Sequence, residues 1–417
     1  LIAGFGIKAG LVPLHFWTPA AYSAAPDHAS ALMAGVMKKV AVYGILRFCV
    51  DLLGQPLWWW GLVVISFGAV STIIGAFYAL SEHHIKRLLA YSSVENVGII
   101  LMGIGLGMIG LSSQQPVLAV LGFLAALYHM LNHAFFKSLL FLGSGVLIDQ
   151  TATTNLNHMG GLSRRRPITA LTFLVAALAV SAIPPFNGFA SEWFTYQAFF
   201  TASESEIFLV RVFSPIFAIL LALAGAFAGM VYIKAYGSAF AGPAHSQAAA
   251  EAKEADGIVI ASLIYLALGS ILLGVCAPLV APRIAAVGAY IANVGGVAIP
   301  GSTMLPLVAI LLIGLLIVPV LLIALYGGRR ARRRSGIDPW NCGYGYNSTM
   351  SVTASSFDQP VKVNFRPLYW LRTLLDRPFQ TIARYSHTTL DYIHRAEPLV
   401  ETWVTRAVTR VVETTVQ

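Results

Sequence analysis

The sequence predicts an all-α, polytopic membrane protein. Three observations carry the prediction. Of 417 residues, 57% are hydrophobic and only 11% charged, whereas soluble domains carry roughly a quarter charged residues. The mean hydropathy is +0.73. Apolar runs of about 20 residues, the length a helix needs to cross a hydrocarbon core of about 30 Å, recur along the chain. A soluble enzyme of this length would lack the charges to cover its surface, and fibrous, disordered and disulfide-scaffold compositions are excluded as well. Cys49, Cys276 and Cys342 are odd in number, far apart and outside any C-x-x-C spacing, so no iron–sulfur cluster, structural zinc or other cofactor is expected in this chain. The net charge of +9 sits largely in short runs beside apolar segments. That is a membrane-topology pattern, not a nucleic-acid footprint.

Taken in order, the expected spans are 1–14, 30–50, 58–80, 85–110, 117–148, 167–200, 210–240, 257–278 and 305–326, about nine in all. The first begins within an apolar run, with no methionine or signal peptide, and the chain stops inside an amphipathic stretch, so an internal piece of a longer protein is expected. The run 117–148 is long and free of proline, which predicts tilt, a kink or an overhang beyond the lipid. The run 167–200 contains Ala182-Ile183-Pro184-Pro185-Phe186-Asn187-Gly188. Two prolines and a glycine interrupt the hydrogen-bond ladder in mid-membrane, which is tolerated only where the backbone is buried in protein or faces a polar cavity. Past residue 326 the chain turns polar and basic (327–370). Residues 371–417 then mix both charge signs with apolar positions at helical spacing, as in helices lying on a membrane surface or against a partner.

Orientation follows from counting. With 327–334, five arginines in eight residues, placed in the cytoplasm, alternation of the spans puts Lys86-Arg87, Arg164-Arg165-Arg166 and Lys253 on the same side. The opposite side receives Arg211 and Arg283, with Arg47 near its edge. The clusters share one face, as the positive-inside rule requires. A multi-pass protein of the cell (inner) membrane with cytoplasmic basic loops is the expectation.

Ionisable residues inside such spans are costly, roughly 2.5–3.5 kcal/mol each at the bilayer centre, and so mark function. Lys39 lies near the middle of its span, too deep to snorkel to either surface. Lys38, about 100° round the helix, cannot share its path and is assigned a structural or interfacial place. His129, His133 and Lys137 recur at i, i+4 and i+8, a stripe that drifts only about 40° per step. Three exchangeable groups in line over about 12 Å suit proton hopping through intervening water. Neither an acid nor a thiol completes a metal ligand set with the two histidines. Lys8 in the first run, Glu192 just past the Pro184-Pro185 break, and Lys86 with Glu82 at a span end complete the set. Together they predict a polar path through the membrane. No nucleotide loop, haem motif or nucleophile elbow accompanies it.

These residues occur in longer motifs. Gly6-Ile7-Lys8-Ala9-Gly10-Leu11-Val12-Pro13-Leu14-His15-Phe16-Trp17, Lys39-Val40-Ala41-Val42-Tyr43-Gly44, Ile85-Lys86-Arg87-Leu88-Leu89-Ala90-Tyr91-Ser92-Ser93 and His129-Met130-Leu131-Asn132-His133-Ala134-Phe135-Phe136-Lys137 resemble the antiporter-like membrane subunits of the respiratory complex I superfamily. Pro184-Pro185-Phe186-Asn187-Gly188, with Asp338-Pro339-Trp340-Asn341-Cys342-Gly343-Tyr344, is similar to the branch holding hydrogenase-4 component B and formate hydrogenlyase subunit 3. The resemblance implies two inverted five-helix repeats, each with a discontinuous helix. Residues 1–50 would then be the last two helices of the first repeat, 51–241 the second repeat, and 242–326 two further spans. It also implies that Lys8, Lys39, Lys86, His129, His133, Lys137 and Glu192 form a proton relay, and that Lys8 pairs with an acid on a helix outside this chain. The implied function is proton translocation within a redox-driven complex. Other membrane subunits and a peripheral hydrogenase-like arm would be its partners, with iron–sulfur clusters and a nickel–iron or other redox centre carried by those partners. A multisubunit Na⁺/H⁺ antiporter subunit and a non-pumping membrane anchor are the alternatives; the 336–360 segment and the Pro-Pro-Phe-Asn-Gly break argue against the antiporter.

Overall fold

The computed structural model describes residues 2–295, 341–345 and 350–370, together with Gly314, Leu321 and Arg372. Residues 1–361 form one compact unit and 362–417 a second. The expected span 305–326 and the amphipathic segment 371–417 fall outside the described residues, apart from isolated positions.

Among the described residues, six helices are long and apolar enough to cross a membrane. Helix α1 (Ile2–Ala9) stops at Gly10, whose φ of +78° reverses the chain. The first expected span, 1–14, is therefore a short helix running into a turn over 10–16, and a second helix, α2 (Trp17–Ala24), follows it. Glycine allows the positive φ, and Pro13 bars a continuous ladder, so the run is apolar without being one helix. Next comes α3 (Asp27–Leu52), which opens after Pro26 with Asp27 at its positive end. It carries two π-helical stretches, Met33–Met37 and Arg47–Leu52.

The core is built on α4 (Trp58–Ser81), α5 (Ile85–Ser112) and α6 (Pro116–Thr151). Helix α6 runs unbroken for 36 residues. Glycines seam these helices. Gly61, Gly68 and Gly75 recur every seven residues on α4, and Gly98 and Gly105 do so on α5. A Cβ on Gly68 would lie 2.6 Å from the Gly98 carbonyl oxygen, and one on Gly75 2.6 Å from the Glu95 nitrogen. On the other side, a Cβ on Gly103 would lie 2.8 Å from the Ala126 nitrogen of α6. Small residues let backbones touch where lipid supplies no hydrophobic drive between helices.

The run 167–200 is two helices, α7 (Pro167–Val180) and α8 (Asn187–Ala202), with the predicted interruption at 181–186 between them. Gly188 packs against the Ala179 carbonyl, where no side chain fits. Then come α9 (Phe208–Phe240), α10 (Gly257–Val275) and α11 (Ala277–Ile291). Hydropathy did not reveal α11, because Pro278, Pro282 and Arg283 interrupt its apolar signal. It follows α10 after one residue and packs Ala277, Ala281 and Ala285 into the same core cluster as Leu118 and Leu121 of α6.

The connections sort to two ends. Leu156 N–H donates to the His83 carbonyl at 3.0 Å, and Gly160 N–H to the Ala239 carbonyl at 3.2 Å. Glu254 accepts from Ile168 N–H at 3.0 Å. The segments 82–87, 152–166 and 241–256, which hold Lys86-Arg87, Arg164-Arg165-Arg166 and Lys253, therefore gather at one end of the bundle, while the 327–334 cluster lies outside the described residues. Residues 350–361 close over it, with His83 Nε2 2.8 Å from the buried Asp358 Oδ2 and Asn157 Nδ2 3.0 Å from Ser355 Oγ.

Candidate functional site, a buried chain of ionisable groups

His129, His133 and Lys137 lie on one face of α6 and are at most 1% exposed. Lys39 of α3 meets this face: its Nζ lies 2.5 Å from His133 Nδ1 and 2.5 Å from the Ala34 carbonyl. A proton can pass directly across the first contact, from ammonium to imidazole or back, because each nitrogen is a donor in one state and an acceptor in the other. Lys137 Nζ donates to the Tyr232 hydroxyl of α9 at 2.9 Å. His129 Nδ1 lies 2.9 Å from Ser191 Oγ, and its Nε2 3.3 Å from Asn96 Oδ1. Asn132 donates to the Asn187 carbonyl at 2.7 Å and to Ser191 Oγ at 3.1 Å. Side chains of α6 thus bind the first turn of α8, which fixes the interruption at 181–186 against the stripe.

Glu192 follows Ser191 on α8 and is buried, within electrostatic reach of Glu95. Lys86 sits at the basic end of the bundle, its Nζ 2.9 Å from Asp27 Oδ1 and donating to the Ala25 carbonyl at 2.6 Å. It ties the start of α5 to the start of α3. Removing one partner leaves the other charge short of its counterion, so Lys86→Met should cost about 1–3 kcal/mol. Thermal unfolding of the detergent-solubilised protein checks this. A double-mutant cycle with Asp27→Asn should show that the two losses are not additive.

The structure brings Lys39 into contact with His133 and sets His129 and Lys137 on the same face of α6. It leaves Lys8 apart, on the exposed face of α1. Of the structural or interfacial place expected of Lys38, it takes the structural one. It is fully buried, with Nζ 5.3 Å from the Tyr22 ring centroid and close to Gly10. The two lysines do face different ways, but both face inward. Among the described residues no group of three or more His, Cys, Asp or Glu side chains could hold a metal.

Sequence reasoning missed three polar participants. Glu95 lies in the middle of an apolar span, and the criterion that singled out Lys39 applies to it equally. Tyr232 carries no such signal, because tyrosine is common in apolar helices. Lys234 is buried on α9 and donates to the Leu80 carbonyl at 2.5 Å and the Glu82 carbonyl at 2.7 Å. It caps the carboxyl end of α4, where a cation meets unpaired carbonyls and the negative end of the dipole.

With this geometry in place, comparison with known proteins places the chain. A family model described as NADH:quinone oxidoreductase/Mrp antiporter, TM, matches residues 1–218. The chain is 42% identical over 427 aligned residues to hydrogenase-4 component B of Escherichia coli K12, covering 99% of this chain and 63% of that protein. It is 39% identical over 379 residues to formate hydrogenlyase subunit 3 of the same organism, covering 90% of this chain and 61% of that one. It therefore spans about three fifths of the length of these relatives. Among solved structures, a chain of the membrane-bound sulfane sulfur reductase, an archaeal respiratory membrane complex, superposes with a TM-score of 0.74 at 26% identity, covering 94% of this chain and 63% of that one. The apolar helices, the interrupted helix and these matches together make the chain a multi-pass member of the NADH:quinone oxidoreductase/Mrp antiporter transmembrane family.

Proposed function

We propose that this chain is the proton-translocating membrane subunit of a redox-driven complex of the hydrogenase-4 or formate hydrogenlyase kind. The observation that carries the reading is the Lys39–His133 contact at 2.5 Å, set on a buried stripe that continues to Lys137 and His129. An imidazole ordinarily exchanges protons near neutral pH, and burial can bring a lysine toward the same range. A stripe held by hydrogen bonds to the α8 interruption is a place where water and freed backbone groups can extend it.

In this reading protons enter from the cytoplasmic, basic end near Lys86 and Lys39. They pass among His133, Lys137 and His129, and leave near Glu192 toward the far side of the inner membrane. Lys8 acts from the first repeat, through an acid on a neighbouring helix. Electrons move elsewhere, in a peripheral hydrogenase-like arm whose iron–sulfur clusters and nickel–iron or other redox centre release the driving energy. Other membrane subunits couple that arm to this chain.

The test is the purified complex reconstituted in proteoliposomes. Turnover should acidify the lumen, with a rate indifferent to Na⁺ and a collapse on adding a protonophore. Turnover without acidification would identify a membrane anchor. A gradient that requires Na⁺ would identify a sodium/proton exchanger.

A further inference from the structure

Glu95 sits on α5, 2% exposed. On one side its backbone packs against α4 at Gly75, where a Cβ would lie 2.6 Å from the Glu95 nitrogen. On the other it is joined to the α6 stripe by three consecutive hydrogen bonds. Lys137 Nζ donates to Tyr232 Oη at 2.9 Å, Tyr232 Oη donates to Ser92 Oγ at 2.9 Å, and Ser92 Oγ donates to Glu95 Oε2 at 2.9 Å. Lys137, Tyr232, Ser92 and Glu95 are all at most 2% exposed. Every donor points the same way, from the amine toward the carboxylate. A structural satisfaction of Glu95 would need only Ser92. The polarity of the whole row, from a cation to an anion through two hydroxyls, is that of a proton wire.

We propose that Glu95 is a proton-carrying residue, filled from Lys137 through Tyr232 and Ser92, and that this row is a branch leading off the stripe into α5. The proposal rests on the translocating role above. One transfer moves three protons by one link each. An N–H bond of Lys137 breaks as an O–H forms on Tyr232, the Tyr232 proton passes to Ser92, and the Ser92 proton passes to Glu95. The ammonium becomes a neutral amine and the carboxylate a neutral acid, so charge is conserved and an ion pair is discharged. Both hydroxyls then point back toward Lys137, and each must rotate before the next proton can follow.

The experiment uses the whole complex in proteoliposomes, reading protons translocated per electron transferred, with redox-induced infrared difference spectra alongside. Tyr232→Phe removes one oxygen and keeps the ring. It should lower the ratio at least about tenfold, as should Ser92→Ala and Glu95→Gln, while Glu95→Asp should restore part of it. The infrared band of a carboxyl group gaining and losing a proton during turnover should vanish in Glu95→Gln and weaken in Tyr232→Phe, which a packing role would not produce. If Glu95→Gln fails to assemble, Tyr232→Phe and its infrared band decide. A wild-type ratio in assembled Tyr232→Phe, with the carboxyl band unchanged, overturns the branch and leaves the main stripe standing. Absence of translocation by the unmodified complex overturns both.

Discussion

Replacing Lys39 with alanine should lower the protons translocated per electron by about 10²-fold or more. Its Nζ is the group within hydrogen-bond reach of His133 Nδ1, at 2.5 Å, and alanine leaves a gap that a proton cannot hop unaided. Lys39→Arg sharpens the test. Arginine keeps the positive charge but does not surrender its proton in a protein. Loss of translocation in both variants marks Lys39 as a carrier. Recovery in Lys39→Arg alone would mean that it serves only as a fixed charge on the imidazole. Lys137→Ala should match Lys39→Ala, because Lys137 lies on the same stripe and heads the row through Tyr232. Acidification of proteoliposomes, normalised to electron transfer, measures all three.

Gly68→Leu should remove the subunit from the membrane complex. A Cβ at this position would stand 2.6 Å from the Gly98 carbonyl oxygen and 3.1 Å from the Met102 nitrogen, both backbone atoms that cannot step aside. The helices would have to part along their length, pulling Gly61 and Gly75 off their own contacts. Overpacking of flexible cores costs about 1–3 kcal/mol, and here the obstruction is backbone, so the cost exceeds about 3 kcal/mol. Native gel electrophoresis of solubilised membranes should show no assembled subunit. Gly225→Leu is the control. A Cβ there meets nothing within 4 Å, and that variant should assemble normally.

Much of this arrangement was legible before any coordinates. Long apolar runs became long helices, because lipid leaves backbone groups no partners but one another. The α6 stripe was legible because period alone places His129, His133 and Lys137 on one face. The interruption in 167–200 was legible from two prolines, which remove donors whatever the surroundings. Other features depended on tertiary contact. Nothing local in the sequence brings residues 92, 137 and 232 together. The angular offset between Lys38 and Lys39 does not tell which faces are inward. That depends on the π-helical stretch Met33–Met37 and on what packs against α3. Helix α11 was hidden by its prolines, although proline in a first turn is compatible with a helix. Glu95 was legible and overlooked: an acid among apolar neighbours is a stronger signal than the conspicuous motif beside it.

The glycine seams between α4, α5 and α6 have a mechanical consequence. Surfaces in backbone contact have no soft layer between them, and tightly packed protein interiors are nearly incompressible. These three helices therefore behave as a stiff slab. The compliant places lie where the hydrogen-bond ladder is interrupted or widened: the turn at 10–16, the wide turns of α3 and the gap at 181–186. A displacement entering at one edge of the slab crosses it almost undiminished and is absorbed at these joints. Two of them adjoin Lys38 and Glu192, so the give in the molecule is concentrated beside its ionisable groups.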